Sequence, residues 1–141
     1  MTAEPKHAEK TLKIIMDANA FFIPFQFKID IFEELEKLLE RKLEFILLSP
    51  VRMELEKLRD SGSPKMQKNA SQALKLAEKC VLVKIDKQIA GSPDDIILEI
   101  ASQWQCPVLT NDSQLRKRLR DINVPVIYVR QKSRLEIDGR L

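Results

Sequence analysis

Two acidic side chains stand where short apolar runs end and two more near the starts of expected helices, and that placement is the first chemical signal in the chain. "KIIMDANAFF" breaks off on Asp17, where a buried core would favour another Ile. Asp112 follows the run "VLT" by two residues, in "VLTND". Glu54 lies one turn into the helix expected after "LEFILL", and Asp94 opens the segment "SPDDIILEIASQW". An unpaired carboxylate is costly to bury, and four crowded together repel one another. A cation resolves both problems, and hard oxygen donors select Mg²⁺ or Mn²⁺. Asp17, Glu54, Asp94 and Asp112 are therefore the expected ligands and catalytic residues.

Helical spacing supports two of these choices. Val51, Leu55 and Leu58 make an apolar stripe, and Glu54 shares that face while Glu56 points to solvent. Asp94 extends the stripe of Ile97, Ile100, Ala101 and Trp104 by one turn. Asp95 is the third helical position after Ser92, where a short carboxylate reaches back to the cap backbone. Asp94 is thus assigned to the metal and Asp95 to capping, with Asp95 as the alternative ligand. Taken singly, each acid also has a plain reading: Asp17 as a turn former, Asp94 as a first-turn residue, Asp112 as an N-cap.

The elements that must position these acids alternate. Strands are expected at 12–16, 43–48, 81–85, 107–110 and 125–129. Between them, Ile31, Phe32, Leu35, Leu38 and Leu39 predict a helix over 31–42, with Asp30 and Glu33 as a capping box. Ser49-Pro50, Ser63-Pro64 and Ser92-Pro93 each open a helix with Pro at its first position, and Asp112 to Ile122 reads as a basic helix. Alternating strands and helices with short loops predict an α/β domain around a mostly parallel sheet covered on both faces. In such sheets ligands bind beyond the carboxyl ends of the strands, which is where the acids fall. The chain divides into a disordered lead-in over 1–11, a domain over 12–130 and a tail over 131–141, read as an edge strand or a flexible arm.

Bulk composition excludes several classes. With 141 residues and 44% hydrophobic content, the chain builds one real core. No apolar run approaches the ~18 residues of a membrane span, and the N-terminus lacks an apolar signal region. His7 is the only histidine, so histidine acid–base chemistry and N/S zinc sites are not expected. Gly62, Gly91 and Gly139 form no phosphate-cradling motif. Cys80 and Cys106 read as reduced, buried small hydrophobes of a cytoplasmic protein. Metal-activated water is the most economical nucleophile left.

Charge is uneven beneath a net +3: residues 112–141 hold eight Lys/Arg against four Asp/Glu. Such an excess points to a polyanion or to a solvated face. Arg116, Lys117, Arg118 and Arg120 are candidate phosphate contacts, with Lys65, Lys68 and Lys75 as a weaker stripe. The aromatics of "FFIPFQF" (21–27) read as core or interface before they read as base-stacking platforms.

"MDANAF", "SPVRMEL", "GSPDDIILEIA" and "LTNDSQLRKRL", in this order and context, resemble the PIN domain family of metal-dependent ribonucleases over about 13–129. Paired Asp residues before a helix of this kind look closest to the branch that processes small-subunit ribosomal RNA. The resemblance implies a three-layer α/β/α fold with a five-stranded sheet. It implies one or two Mg²⁺ or Mn²⁺ ions held by three or four acids, and endonucleolytic cleavage of RNA. Its acids map to Asp17, Glu54, the 94–95 pair and Asp112. Asn19 and Thr110 or Asn111 would orient a ligand carboxylate or the water. Single-stranded RNA is the expected partner, and a homodimer through 31–42 or 64–79 follows on family grounds.

Rivals are a VapC-type toxin of a toxin–antitoxin pair, with the same four acids, and a PIN-fold binding or assembly subunit with little catalysis. A haloacid-dehalogenase-type phosphatase wants Asp where Asn19 stands, and a receiver domain wants Lys where Arg130 stands.

Overall fold

The computed structural model describes residues 11–86 and 91–141. His7 and nearly all of the expected lead-in fall outside them. β1 (Leu12–Met16) lies at the centre of the sheet, and its last three residues, Ile14, Ile15 and Met16, are fully buried. It pairs in parallel with β2 (Leu43–Leu48) on one side and β4 (Val108–Leu109) on the other. β3 (Val81–Val83) adds to β2, and β5 (Val126–Arg130) to β4, again in parallel. The tail supplies β6 (Arg134–Asp138), antiparallel to β5. The strand order is β3-β2-β1-β4-β5-β6. The expected five parallel strands are present, and the tail takes the edge-strand alternative.

Helices connect the strands: α1 (Ile23–Phe27), α2 (Ile31–Leu39), α3 (Ser49–Ser61), α4 (Pro64–Ala77), α5 (Pro93–Trp104) and α6 (Ser113–Asp121). Short polar side chains start four of them. Asp30 accepts from the Glu33 N–H, Ser63 from Met66, Ser92 from Asp95, and Asp112 from Gln114 and Leu115. α3 departs from the pattern. Leu48 occupies its cap position without a side-chain bond, and the Ser49 hydroxyl accepts from the Ile85 N–H at 2.9 Å instead.

That bond explains why β3 stops at Val83 rather than 85: Ile85 is drawn to Ser49. Val81 and Leu82 of this edge strand are exposed, so coverage on both faces fails there. α2 ends before 42 because Glu40 turns left-handed at φ 49° and donates its N–H to Glu36. "FFIPFQF" folds into a 3-10 turn (Ala18–Phe22) followed by α1, which periodicity did not reveal. Phe21 is fully buried in the core, as expected, while Phe25 is exposed.

Ile14, Met16, Leu48, Leu55, Ile97, Leu109 and Ile127 are all fully buried, so strands and helices share one core. At ~1.5–3 kcal/mol for each large apolar side chain, this core is what holds the strand ends still. At the opposite, amino edge of the sheet, Leu12, Pro107, Val124, Pro125 and Leu141 line a cavity of about 260 Å³.

Candidate active site

β1 delivers Asp17 directly from the core. Its N–H donates to the Leu109 carbonyl at 3.0 Å, continuing the β1–β4 ladder by one residue, and its side chain is only 4% exposed. Burial on this scale demands partners, and three donors supply them. The Ala18 N–H meets Oδ1 at 2.8 Å; the Asn19 amide and the Thr110 hydroxyl meet Oδ2 at 2.9 Å and 2.6 Å.

Thr110, itself fully buried, extends β4 by one residue and joins two acids. Its hydroxyl donates to Asp17 and accepts from the Asp112 N–H at 3.1 Å. Asn19 closes the network, its Oδ1 accepting from the Asn111 N–H at 2.8 Å. Asn111 Oδ1 in turn accepts from the Val129 N–H at 3.2 Å, fastening the loop to β5. Asn19, Thr110 and Asn111 thus hold the Asp17–Asp112 pair in register across two strands.

Asp112 divides its work. Oδ1 accepts from the Gln114 and Leu115 N–H groups at 2.8 and 3.3 Å, and Oδ2 takes no hydrogen bond from the described residues. Asp95 closes a capping box, taking the Ser92 N–H on Oδ2 at 3.1 Å and the Arg118 guanidinium on Oδ1 at 2.8 Å. Both its oxygens are committed, and these bonds draw its carboxyl below the usual range. Asp94, half-buried beside it, takes no hydrogen bond from the described residues and is the carboxylate left for other work.

Glu54 differs from its helical-face expectation. Val51 and Leu55 are buried and Glu54 flanks their stripe at the exposed rim, while Glu56 is half-buried by its ion pair with Arg52 at 3.3 Å. Neighbouring atoms still crowd its carboxyl enough to desolvate it in part.

Electrostatics draw these four acids into one group. Burial leads the upward shift of Asp17, opposed by the Thr110 and Ala18 hydrogen bonds and reinforced by the charges of Asp94 and Asp112. Burial likewise raises Glu54, with Asp17 and Asp94 adding to it, and raises Asp94, with Asp112 adding and Arg118 opposing. Each raised carboxyl feels at least one of the others. As the side chains stand, no three His, Cys, Asp or Glu of the described residues form a finished cage for an ion. The donor set nevertheless suits a hard divalent cation: acids only, mutually repelled, on four separate elements. Neither thiol offers a competing nucleophile, because burial pushes Cys80 up to about 12 and Cys106 up to about 11.

The predicted phosphate contacts on α6 are mostly spoken for. Arg116 pairs with Asp138 at 3.0 Å and lies 3.6 Å above the Tyr128 ring, Arg118 pairs with Asp95, and Arg120 pairs with Asp138 at 3.3 Å. Only Lys117 of these four forms no ion pair among the described residues. Sequence reasoning placed Arg130 and Arg134 in the basic third without seeing that strand pairing sets them face to face. No local signal carries that pairing.

A family model described as "PIN like domain" matches residues 14–132. Ribonuclease VapC4 of Methanocaldococcus jannaschii is 36% identical over 128 residues, spanning 90% of this chain and 97% of its own. Ribonuclease VapC9 of Archaeoglobus fulgidus is 27% identical over 138 residues, 98% of each. Among solved structures, the PIN domain endonuclease Utp24 superposes with a TM-score of 0.76 at 28% identity, covering 92% of both chains. VapBC2 from Rickettsia felis, solved on a DNA fragment from its promoter, has a TM-score of 0.58 at 17% identity over 76% of this chain and 92% of its own, a likeness of fold alone.

Proposed function

The chain belongs to the PIN-like domain family, and from that membership we propose that it is a Mg²⁺- or Mn²⁺-dependent endoribonuclease acting on single-stranded RNA. Asp17 carries the proposal: a nearly buried carboxylate, held by three donors and raised first by burial and further by neighbouring acids, with no basic side chain among the described residues paired to it. Full-length relatives named ribonucleases support the same reaction.

Asp17, Glu54, Asp94 and Asp112 would hold one or two ions. Bound there, a divalent cation supplies a water of lowered pKa and positive charge for the developing oxyanion. The chain's own residues set the stage. Thr110 and Asn19 fix the Asp17 carboxylate through Oδ2. Asp112 uses one oxygen to anchor α6 and presents the other. Glu54, at the exposed rim, is the acid with most freedom to swing inward or to take a proton from water. Arg118, kept beside Asp94 by Asp95, offers charge for a phosphate oxygen.

An RNA-processing role follows from the branch that the motifs resemble, and the superposition on the endonuclease Utp24 over nearly the whole chain supports endonucleolytic cleavage. A second reading, a VapC-type toxin ribonuclease, is favoured by the greater identity to Ribonuclease VapC4.

Cleavage of a labelled single-stranded RNA with Mn²⁺, Mg²⁺ or EDTA tests the reaction. Metal-dependent cutting lost in Asp94→Asn and kept in Asp95→Asn is the expected result. No cutting by wild type under either metal would leave a binding or assembly subunit. Growth arrest on expression, abolished by Asp94→Asn, would select the toxin reading over processing.

A further inference from the structure

A polyanion entering this site meets four carboxylates, so its affinity has to come from outside them. We infer that the β5–β6 ribbon, through Tyr128, Arg130 and Arg134 together with Arg116 of α6, binds the RNA backbone leading away from the site. The inference rests on the ribonuclease reading above and extends it to a surface.

Register places these groups on one face. Tyr128 stands opposite Glu136 and Arg130 opposite Arg134, so the even-numbered side chains of both strands share a side. The other side is core, with Ile127 and Leu135 buried. Arg116 lies one helical turn after Asp112, the α6 acid of the site, and its N–H donates to the Asp112 carbonyl. It continues onto the ribbon by lying 3.6 Å above the Tyr128 ring. A continuous path therefore runs from Asp112 through Arg116 and Tyr128 to Arg130 and Arg134.

Topology points the ribbon toward the site. β5 runs parallel to β1 and β4, so the β5–β6 turn rises from the same carboxyl edge as Asp17 and Asp112. The Val129–Asn111 hydrogen bond ties the base of the turn to the site loop. Gln131 and Lys132 both hold positive φ, at 54° and 58°, and the Ser133 N–H donates to the Arg130 carbonyl. Two long polar residues occupy a turn that ordinarily favours Asn and Gly, which presents Lys132 beside the two arginines.

Two acids on this face oppose the charge, and Asp138 pairs with Arg116 at 3.0 Å. Glu136 accepts from Tyr128 at 3.0 Å and from Arg130 at 2.9 Å, and lies 3.6 Å from Arg134. Arg130 and Arg134 remain about half exposed, and such surface pairs exchange readily for phosphate. Cations flanking an aromatic ring are the pattern of single-strand binding.

The test is anisotropy of fluorescein-labelled oligouridylate, about 4 and about 16 nucleotides long, in EDTA across a salt series. The variants are Arg130→Ala/Arg134→Ala and, separately, Lys132→Ala, which removes no contact among the described residues and so leaves folding intact. For the long RNA, the double variant should bind about 25-fold more weakly at 0.1 M salt, with its salt slope reduced by about 1.4; Lys132→Ala should lose about fivefold and about 0.7. The short RNA should lose less affinity than the long one. With metal added, KM should rise at unchanged kcat. Wild-type affinity and slope in both variants would overturn the inference, and would leave an acidic protein as the ribbon's partner. If wild type cuts RNA while the variants bind normally, the ribbon fails and the nuclease stands. If wild type never cuts but the variants bind weakly, the nuclease fails and the ribbon stands.

Discussion

Thr110 Oγ1 lies 2.6 Å from Asp17 Oδ2, although 93 residues separate the two in sequence. This contact ties the end of β4 to the end of β1 by one buried, charge-assisted hydrogen bond. Because the same hydroxyl accepts from the Asp112 N–H, one small side chain sets the spacing of two acids.

Replacing Thr110 by Val keeps the shape and removes the donor. Asp17 then loses the strongest influence opposing its upward shift, and its carboxyl moves higher still. A stability loss of about 1–3 kcal/mol is expected, with the acid limb of the activity profile moved to higher pH. Thr110→Ser should restore both. Thermal melts and a pH–rate series check this, and an unmoved acid limb in the Val variant would count against it.

Asp94→Asn and Asp95→Asn should separate repulsion from capping. The first removes a charge that raises both Asp17 and Glu54, so in EDTA its Tm should exceed wild type while cleavage is lost. The second breaks a capping box and an Arg118 pair, so its Tm should fall with cleavage retained. Ser92→Ala, deleting the same cap from the other side, should cost about 1 kcal/mol. Scanning calorimetry of the three proteins reads all of this.

Metal-free stability should fall as pH rises above about 4. Asp17, Glu54 and Asp94 are all raised from 3.8, 4.5 and 3.8, so the folded chain holds protons that the unfolded chain has released. Their contribution is complete below the unfolded values and disappears as pH climbs through the raised ones. Mn²⁺ at a hundredfold excess over its Kd should return about 2.7 kcal/mol at neutral pH and much less at pH 4. Melts in EDTA and in Mn²⁺ across pH 4–8 decide it; identical curves would argue against a carboxylate cation site.

The two thiols should resist Ellman's reagent in the native protein. Values pushed up to about 12 and about 11 leave almost no thiolate at pH 8. Reaction in denaturant should be complete, and rapid labelling of the native chain would contradict the burial of Cys106 and the partial burial of Cys80.

Much of this arrangement was legible because it is local. Ser63, Ser92 and Asp112 each sit just before an apolar-periodic run, and each caps the expected helix. The division of labour between Asp94 and Asp95 followed from counting residues after Ser92, and the capping half of it is built. What escaped depended on distant partners. Ser49 reads as a cap in isolation, but Ile85 claims its hydroxyl. The exposure of Glu54 depends on how α3 packs against its neighbours, which one stripe of Val and Leu does not encode. Arg116 and Arg120 look like free cations until β6 brings Asp138 to them, and nothing near residue 116 announces residue 138.

The cavity at the amino edge, where Leu141 meets Leu12, Pro107 and Pro125, also bears on how the protein can be handled. Leu141 lies at the side of the sheet opposite the carboxylates. A biotin or affinity handle attached there should orient each immobilised molecule with its acids toward solution. Substrate capture on a sensor surface then becomes practical, whereas coupling through exposed lysines such as Lys117 and Lys132 would foul the faces that matter.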